Sequence, residues 1–178
     1  MKKSITLAIV IGLVGVLSAC STPATTSTVG TSKDSPITTN APVVPKVLAA
    51  TDVTTALVGA LSTVKSTVVY TETTDPNKLM GRPNGYTSKT AFSDSRVAAA
   101  DVESMDSDAT ERGGTVEVYP TADGATARSK YLQAIFSASS MLGSEYHFQN
   151  GGILVRVTGN LTPAQSADYK AVVASLTS

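Results

Sequence analysis

The sequence predicts an α+β domain: an antiparallel sheet of about four strands with helices packed on one face, preceded by a signal peptide and a disordered linker. Three observations carry this expectation. Short Val-, Thr- and Tyr-rich runs read as strands. Between them lie segments whose apolar residues recur at helical spacing. Adjacent strand candidates are joined by Gly- and Pro-rich loops, which favour antiparallel neighbours.

The elements follow in order from about residue 50. Val53, Leu57, Ala60, Leu61 and Val64 share one face of a first helix. Thr67 to Thr73 reads as a strand, ended by Asp75-Pro76-Asn77 and followed by the turn-rich Gly81-Arg82-Pro83-Asn84-Gly85. Tyr86 to Phe92 reads as a second strand. Thr115 to Tyr119 reads as a third, stopped by Pro120. A helix from Asp123 to about Ser140 is predicted to turn Ala127, Tyr131, Ala134, Ile135 and Ala138 inward, with Gly143 as its stop. Ile153 to Val157 is the most apolar strand. The final helix has the best start signal. Thr162 can cap, Pro163 suits the first turn and Gln165 stands where a capping-box partner belongs. Tyr169, Val172, Val173 and Leu176 make its apolar face.

The first nineteen residues have a different logic. Lys2 and Lys3 precede an apolar run from Ile5 to Leu17. That run is too short for a bilayer core, which takes ~20 helical residues. A positive start, a short apolar run and small residues before a cut describe a signal peptide over residues 1–19, with cleavage after Ala19. Leu17-Ser18-Ala19-Cys20 resembles the bacterial lipobox, which implies a lipidated Cys20 and a membrane contact through that anchor. Cys20 is the only cysteine, so no disulfide can form within the chain. Two or three acyl chains hold stably where one is marginal, at ~0.8 kcal/mol per buried CH₂.

Residues 20–49 form the expected tether. Ser21 to Asn40 is roughly half Ser and Thr, which is too polar to offset the entropy of ordering. About thirty such residues reach ~30 Å as a flexible coil and up to ~90 Å if extended. Residues 50–178 are then a single domain held off the membrane on the extracytoplasmic side.

Composition narrows the chemistry. Without Lys2 and Lys3, 12 basic residues stand against 14 acidic ones, so no basic face for nucleic acid is expected. His147 is the only histidine, and no Gly-x-Ser-x-Gly elbow is present. A zinc site needs three or four ligands, and the single Cys and single His do not supply them. Asp101, Glu103, Asp106, Asp108 and Glu111 form an acidic run that lacks the EF-hand spacing and its central Gly, and reads as a solvated loop. No cofactor, no metal and no catalytic residue is expected.

The exposed feature of most interest is the loop from Asp75 to Tyr86. Asp75, Asn77, Arg82, Asn84 and Tyr86 are the candidate binding residues, on a backbone restrained by Pro76, Pro83 and Gly85. The alternative is a long hairpin connection in which Gly and Pro only make turns.

The stretch Tyr70-Thr71-Glu72-Thr73-Thr74-Asp75-Pro76-Asn77-Lys78-Leu79-Met80-Gly81-Arg82-Pro83-Asn84-Gly85-Tyr86-Thr87-Ser88-Lys89 resembles a segment of small exported lipoproteins of actinobacteria. Gly114-Thr115-Val116-Glu117-Val118-Tyr119, Leu154-Val155-Arg156-Val157 and Leu161-Thr162-Pro163-Ala164-Gln165 extend the likeness over most of residues 67–176. It implies a membrane-tethered domain in a Gram-positive envelope and assigns no functional residue. The leading expectation is therefore a non-enzymatic binding module for an envelope protein or cell-wall partner. A secreted cell-wall hydrolase and an accessory subunit of an envelope or transport complex are the alternatives.

Overall fold

The computed structural model describes residues 48–177. The signal peptide, Ala19, Cys20 and the linker up to residue 47 lie outside the described residues. Among the described residues, three helices and five strands follow the order α1 (Ala50–Ala60), β1 (Val64–Val69), β2 (Ser88–Asp94), β3 (Gly113–Val118), α2 (Ala122–Ala138), β4 (Glu145–Asn150), β5 (Ile153–Thr158) and α3 (Pro163–Ser175). The strands form one sheet in the order β1-β2-β3-β5-β4, and every neighbouring pair is antiparallel. The α+β class with an antiparallel sheet is as expected. The number of strands and the placing of the helices differ.

The extra strand is β4. Between the expected helix stop at Gly143 and the expected strand from Ile153, Glu145–Asn150 pairs with β5 along its whole length. Gly151, with φ of 53°, and Gly152 join the two as a tight hairpin. The first helix also ends sooner than its apolar spacing suggests. Val64, read as its last inward residue, opens β1 instead and pairs with Asp94.

Alternation along the strands gives the sheet two unlike faces. One face is apolar. Phe92, Val116, Val118, Ile153, Val155 and Val157 pack there against Val53 and Leu57 of α1 and Tyr169 and Val173 of α3. Gly114 is required on this face, because a Cβ there would run into the Phe92 ring and the backbone of Arg156. The Tyr169 ring stacks on Phe92 with centroids 5.6 Å apart, and its hydroxyl donates to Asp94 at 2.6 Å. Thr54 and Thr90 share a 2.6 Å hydrogen bond that ties α1 to β2.

The other face carries α2. Ala125 of that helix packs with Tyr86, Tyr119 and Leu154, which point away from the first core. Helices thus cover both faces, and the expectation of a single covered face is corrected. The predicted inward stripe of α2 is corrected with it. Ala127, Tyr131, Ala134 and Ala138 are exposed, while Ala125 and Leu132 are buried. The helix turns a partly polar side inward because the sheet face beneath it is polar.

α3 starts as its sequence predicts. Thr162 Oγ1 accepts the Gln165 N–H at 3.3 Å, and the Gln165 side chain accepts the Thr162 N–H at 2.8 Å. Within its apolar face Tyr169 and Val173 are fully buried, whereas Val172 and Leu176 are only partly so. Thr162→Ala is expected to cost ~1 kcal/mol. Val173→Ala is expected to cost about 2 kcal/mol through lost methyl burial and the cavity left. Leu176→Ala should cost less than Val173→Ala in urea unfolding, and the opposite order would mean that the helix docks differently.

Candidate functional site

The second face of the sheet is built from charges. Lys89 on β2 lies opposite Glu117 on β3, Thr115 lies opposite Arg156 on β5, and Arg156 lies opposite His147 on β4. Glu117 is 0 % exposed. An ion so buried is tolerated only when its lone pairs are filled. Tyr119 Oη donates to it at 2.9 Å, Arg128 Nε from α2 at 3.2 Å and Arg156 Nη1 at 3.0 Å. Arg156 then grips Glu145 with Nε at 2.8 Å and Nη2 at 2.6 Å. Burial works against the charge of Arg156, but Glu145 and Glu117 outweigh it and hold the guanidinium above its usual range. Burial likewise disfavours ionised Glu145, and hydrogen bonds from His147 and Arg156 bring its carboxyl below the usual range.

The row continues to α2 through His147. Its Nε2 is 2.9 Å from Glu145 Oε2, and its Nδ1 is 2.8 Å from Ser129 Oγ. Serine, histidine and carboxylate in this order have the distances of a hydrolase relay. The surroundings do not suit catalysis. Ser129 sits in the middle of α2, where neighbouring N–H groups are spent on the helix's own bonds and cannot form an oxyanion hole. The His147 side chain is 5 % exposed, and neither Ser129 nor His147 lines the large groove described below. The arrangement is a strut between α2 and β4.

The loop from Thr71 to Tyr86 is organised by a second buried carboxylate. Asp75 accepts N–H groups from Asn77 at 3.2 Å, Leu79 at 2.9 Å and Met80 at 3.1 Å, and the Tyr86 hydroxyl at 2.6 Å. Burial pushes its carboxyl up, but the Tyr86 hydroxyl and these three amides prevail and bring it to about 2. Lys89 Nζ lies 3.5 Å from Asp75 and 4.3 Å from the centre of the Tyr70 ring. Burial lowers the pKa of this lysine, opposed by Glu117 and Asp75. With its amide oxygen turned to the donors, Asn77 accepts from Lys89 Nζ at 3.2 Å and Arg128 Nη2 at 3.3 Å, and so links the loop to α2. Left-handed backbone at Lys78, Gly81 and Asn84, with φ of 53°, 73° and 63°, folds the loop tip.

Between this loop and the start of α2 runs an open groove of about 830 Å³. Asn77, Leu79, Asn84 and Gly85 line one side. Thr121, Asp123, Gly124, Ala127, Arg128 and Tyr131 line the other, and Tyr119 and Pro120 complete it. The candidate loop residues therefore divide. Asn77 and Asn84 face the groove, Arg82 is exposed outside its lining, and Asp75 and Tyr86 are buried beneath it. The Tyr86 ring, expected on the surface, packs edge-on against Tyr119 with centroids 5.8 Å apart. Arg128 and Tyr131 were missed by sequence reasoning, because helical spacing assigned Tyr131 to the core and left Arg128 unremarked.

Two other candidates resolve simply. Within the acidic run, Asp101, Glu103, Asp106 and Glu111 are exposed, and Asp108 accepts the Tyr70 hydroxyl at 2.7 Å. Among the described residues no group of three His, Cys, Asp or Glu side chains is placed to hold a metal ion, and no helix is long and apolar enough to cross a membrane.

Asp75 makes stability depend on acid in a definite direction. Its folded pKa of about 2 lies below its value in an unfolded chain, ~3.9. The charged form therefore stabilises the fold above the unfolded value, and this contribution is lost as pH falls toward 2. Asp75→Asn should be less stable at neutral pH and should lose less stability than the parent between about pH 4 and about pH 2. Parallel stability curves for the two proteins would contradict the role given to Asp75.

Comparison with protein-family models, with curated proteins and with solved structures finds no match for the chain, so the functional reading rests on the groove and its charged support.

Proposed function

We propose that this chain is a lipid-anchored extracytoplasmic lipoprotein of a Gram-positive envelope, whose domain is a non-enzymatic module that binds an envelope ligand in the groove between the Asp75–Tyr86 loop and α2. The observation that carries the reading is the division of labour on the second sheet face. The charged groups beneath the groove are spent on one another, whereas the groove itself is open and walled by fixed elements. A catalytic cleft needs an acid or base poised toward substrate. Here the cleft presents Arg128, whose guanidinium is tied to Glu117, and one exposed carboxylate, Asp123. Largely preformed concave surfaces with a few convergent polar groups are the usual form of a binding site. Leu17-Ser18-Ala19-Cys20 supports the anchor, and the Ser/Thr-rich linker supports a domain free to sample the envelope. The resemblance to small exported lipoproteins of actinobacteria points the same way.

One experiment tests both halves. A photoreactive phenylalanine derivative, which keeps an aromatic ring, replaces Tyr131 in the full chain, in cells, with Val58 on α1 as the control position on the opposite face of the sheet. Irradiation should give an adduct at position 131 and none at 58, recovered with the membrane fraction. In a Cys20→Ala background the same adduct should leave that fraction. Absence of an adduct at 131 would overturn the groove. Tight membrane retention of a cleaved Cys20→Ala form would overturn the anchor.

A further inference from the structure

We propose that the groove takes an uncharged sugar chain, an inference that rests on the binding reading above and names its ligand. Charge balance makes the first cut. Lys89, Arg128 and Arg156 are matched by Asp75, Glu117 and Glu145, three cations against three anions in two ion-paired groups that Asn77 joins. Arg128 therefore brings hydrogen-bond donors to the groove without bringing spare positive charge. The other ionised group on the lining is the Asp123 carboxylate, which repels an anion. A polyanion finds nothing here to replace the water and counterions it would give up.

The unspent polar groups make the second cut. Arg128 Nη1, the Asn84 amide and the Tyr131 hydroxyl make no hydrogen bond within the described residues. Together with Asp123 they supply donors and acceptors side by side along one groove. Sugar hydroxyls are themselves both donor and acceptor, so they can use such a mixture. An aliphatic or aromatic ligand would leave these groups unpaired, at a cost for each one desolvated.

Shape makes the third. Tyr131 is 60 % exposed on the groove lining, a large ring held on a helix rather than on a mobile loop. A pyranose ring presents a face of C–H bonds, and an aromatic ring with a polar tip is the side chain that meets such a face and the hydroxyls at its edge. The volume of about 830 Å³ lies within the usual range for small-molecule sites, and the groove is open to solvent, so sugar units beyond those it holds can extend out of it.

The test is titration calorimetry of the full chain with soluble oligomers of glucose and of N-acetylglucosamine, and with dextran sulfate as the polyanion. At least one neutral oligomer should bind. Tyr131→Ala should weaken that binding by about tenfold or more, equivalent to ~1.4 kcal/mol. Tyr131→Phe should restore most of it, because the ring face is what stacks. Ala127→Trp, which fills the groove from an exposed position, should abolish it. The melting temperature should not change in Tyr131→Ala, whose side chain is mostly in solvent. Binding of dextran sulfate alone, or neutral binding indifferent to Tyr131, would overturn the sugar assignment. If neither neutral oligomer binds while the photo-adduct at position 131 persists, the ligand class is wrong and the groove reading stands. If the adduct is also absent, both fall.

Discussion

A carboxylate at the middle of a sheet, with none of its surface in water, sets the terms for half of this domain. Glu117 is charged and buried, so its neighbours must answer it with donors from several directions at once. Arg156 does so from the next strand, Tyr119 from two residues along, and Arg128 from the helix above. Each partner creates the next demand. Arg156 is itself buried, so Glu145 must cover its remaining edge, and Glu145 fixes His147, which takes the Ser129 hydroxyl. Arg128 and Ser129 are both on α2. The position of that helix is thereby set by hydrogen-bond geometry as well as by Ala125 and Leu132.

Buried ion pairs are poor sources of net stability, because desolvation cancels much of the attraction. Their effect here is directional. The apolar face holds α1 and α3 mainly by close packing, in which no single contact demands one partner. The charged face adds direction, because a displaced guanidinium leaves an anion unpaired. The groove has one wall on α2 and one on the Asp75-centred loop, joined by Asn77 between Lys89 and Arg128. A groove of fixed shape follows from that linkage, so the binding proposed for it would cost little ordering entropy.

The same division explains what could be read from the sequence. α3 was legible because its start rests on local chemistry: a cap, a proline and a glutamine within four positions. β1 starts at Val64 and ends at Val69, ahead of the expected Thr67 to Thr73, whereas β3 and β5 were legible from their Val and Ile content. β4 was not, since its outward-alternating residues are Glu145, His147 and Gln149, which look like a solvated stretch until Arg156 and α2 are placed over them. α2 failed for the same reason. Apolar spacing picked out Ala127, Tyr131, Ala134 and Ala138, but the helix packs on charges, and its inward side carries Arg128 and Ser129. The loop's importance was visible in its Pro, Gly and Asn content, whereas its inside and outside were not. Nothing local distinguishes Tyr86, which is buried under the groove, from Asn84, which lines it.

The pair that joins the sheet to α2 is the most direct place to test this account. A double-mutant cycle with Glu117→Gln and Arg128→Met, followed by urea unfolding, measures their coupling. Glu117→Gln alone should cost on the order of 3–5 kcal/mol, because it strands buried guanidinium charge. The double mutant should cost less than the sum of the two single changes, with coupling on the order of 1 kcal/mol or more. Additive effects of a few tenths of a kcal/mol each would contradict the claim that the buried carboxylate holds α2 and the groove wall in place.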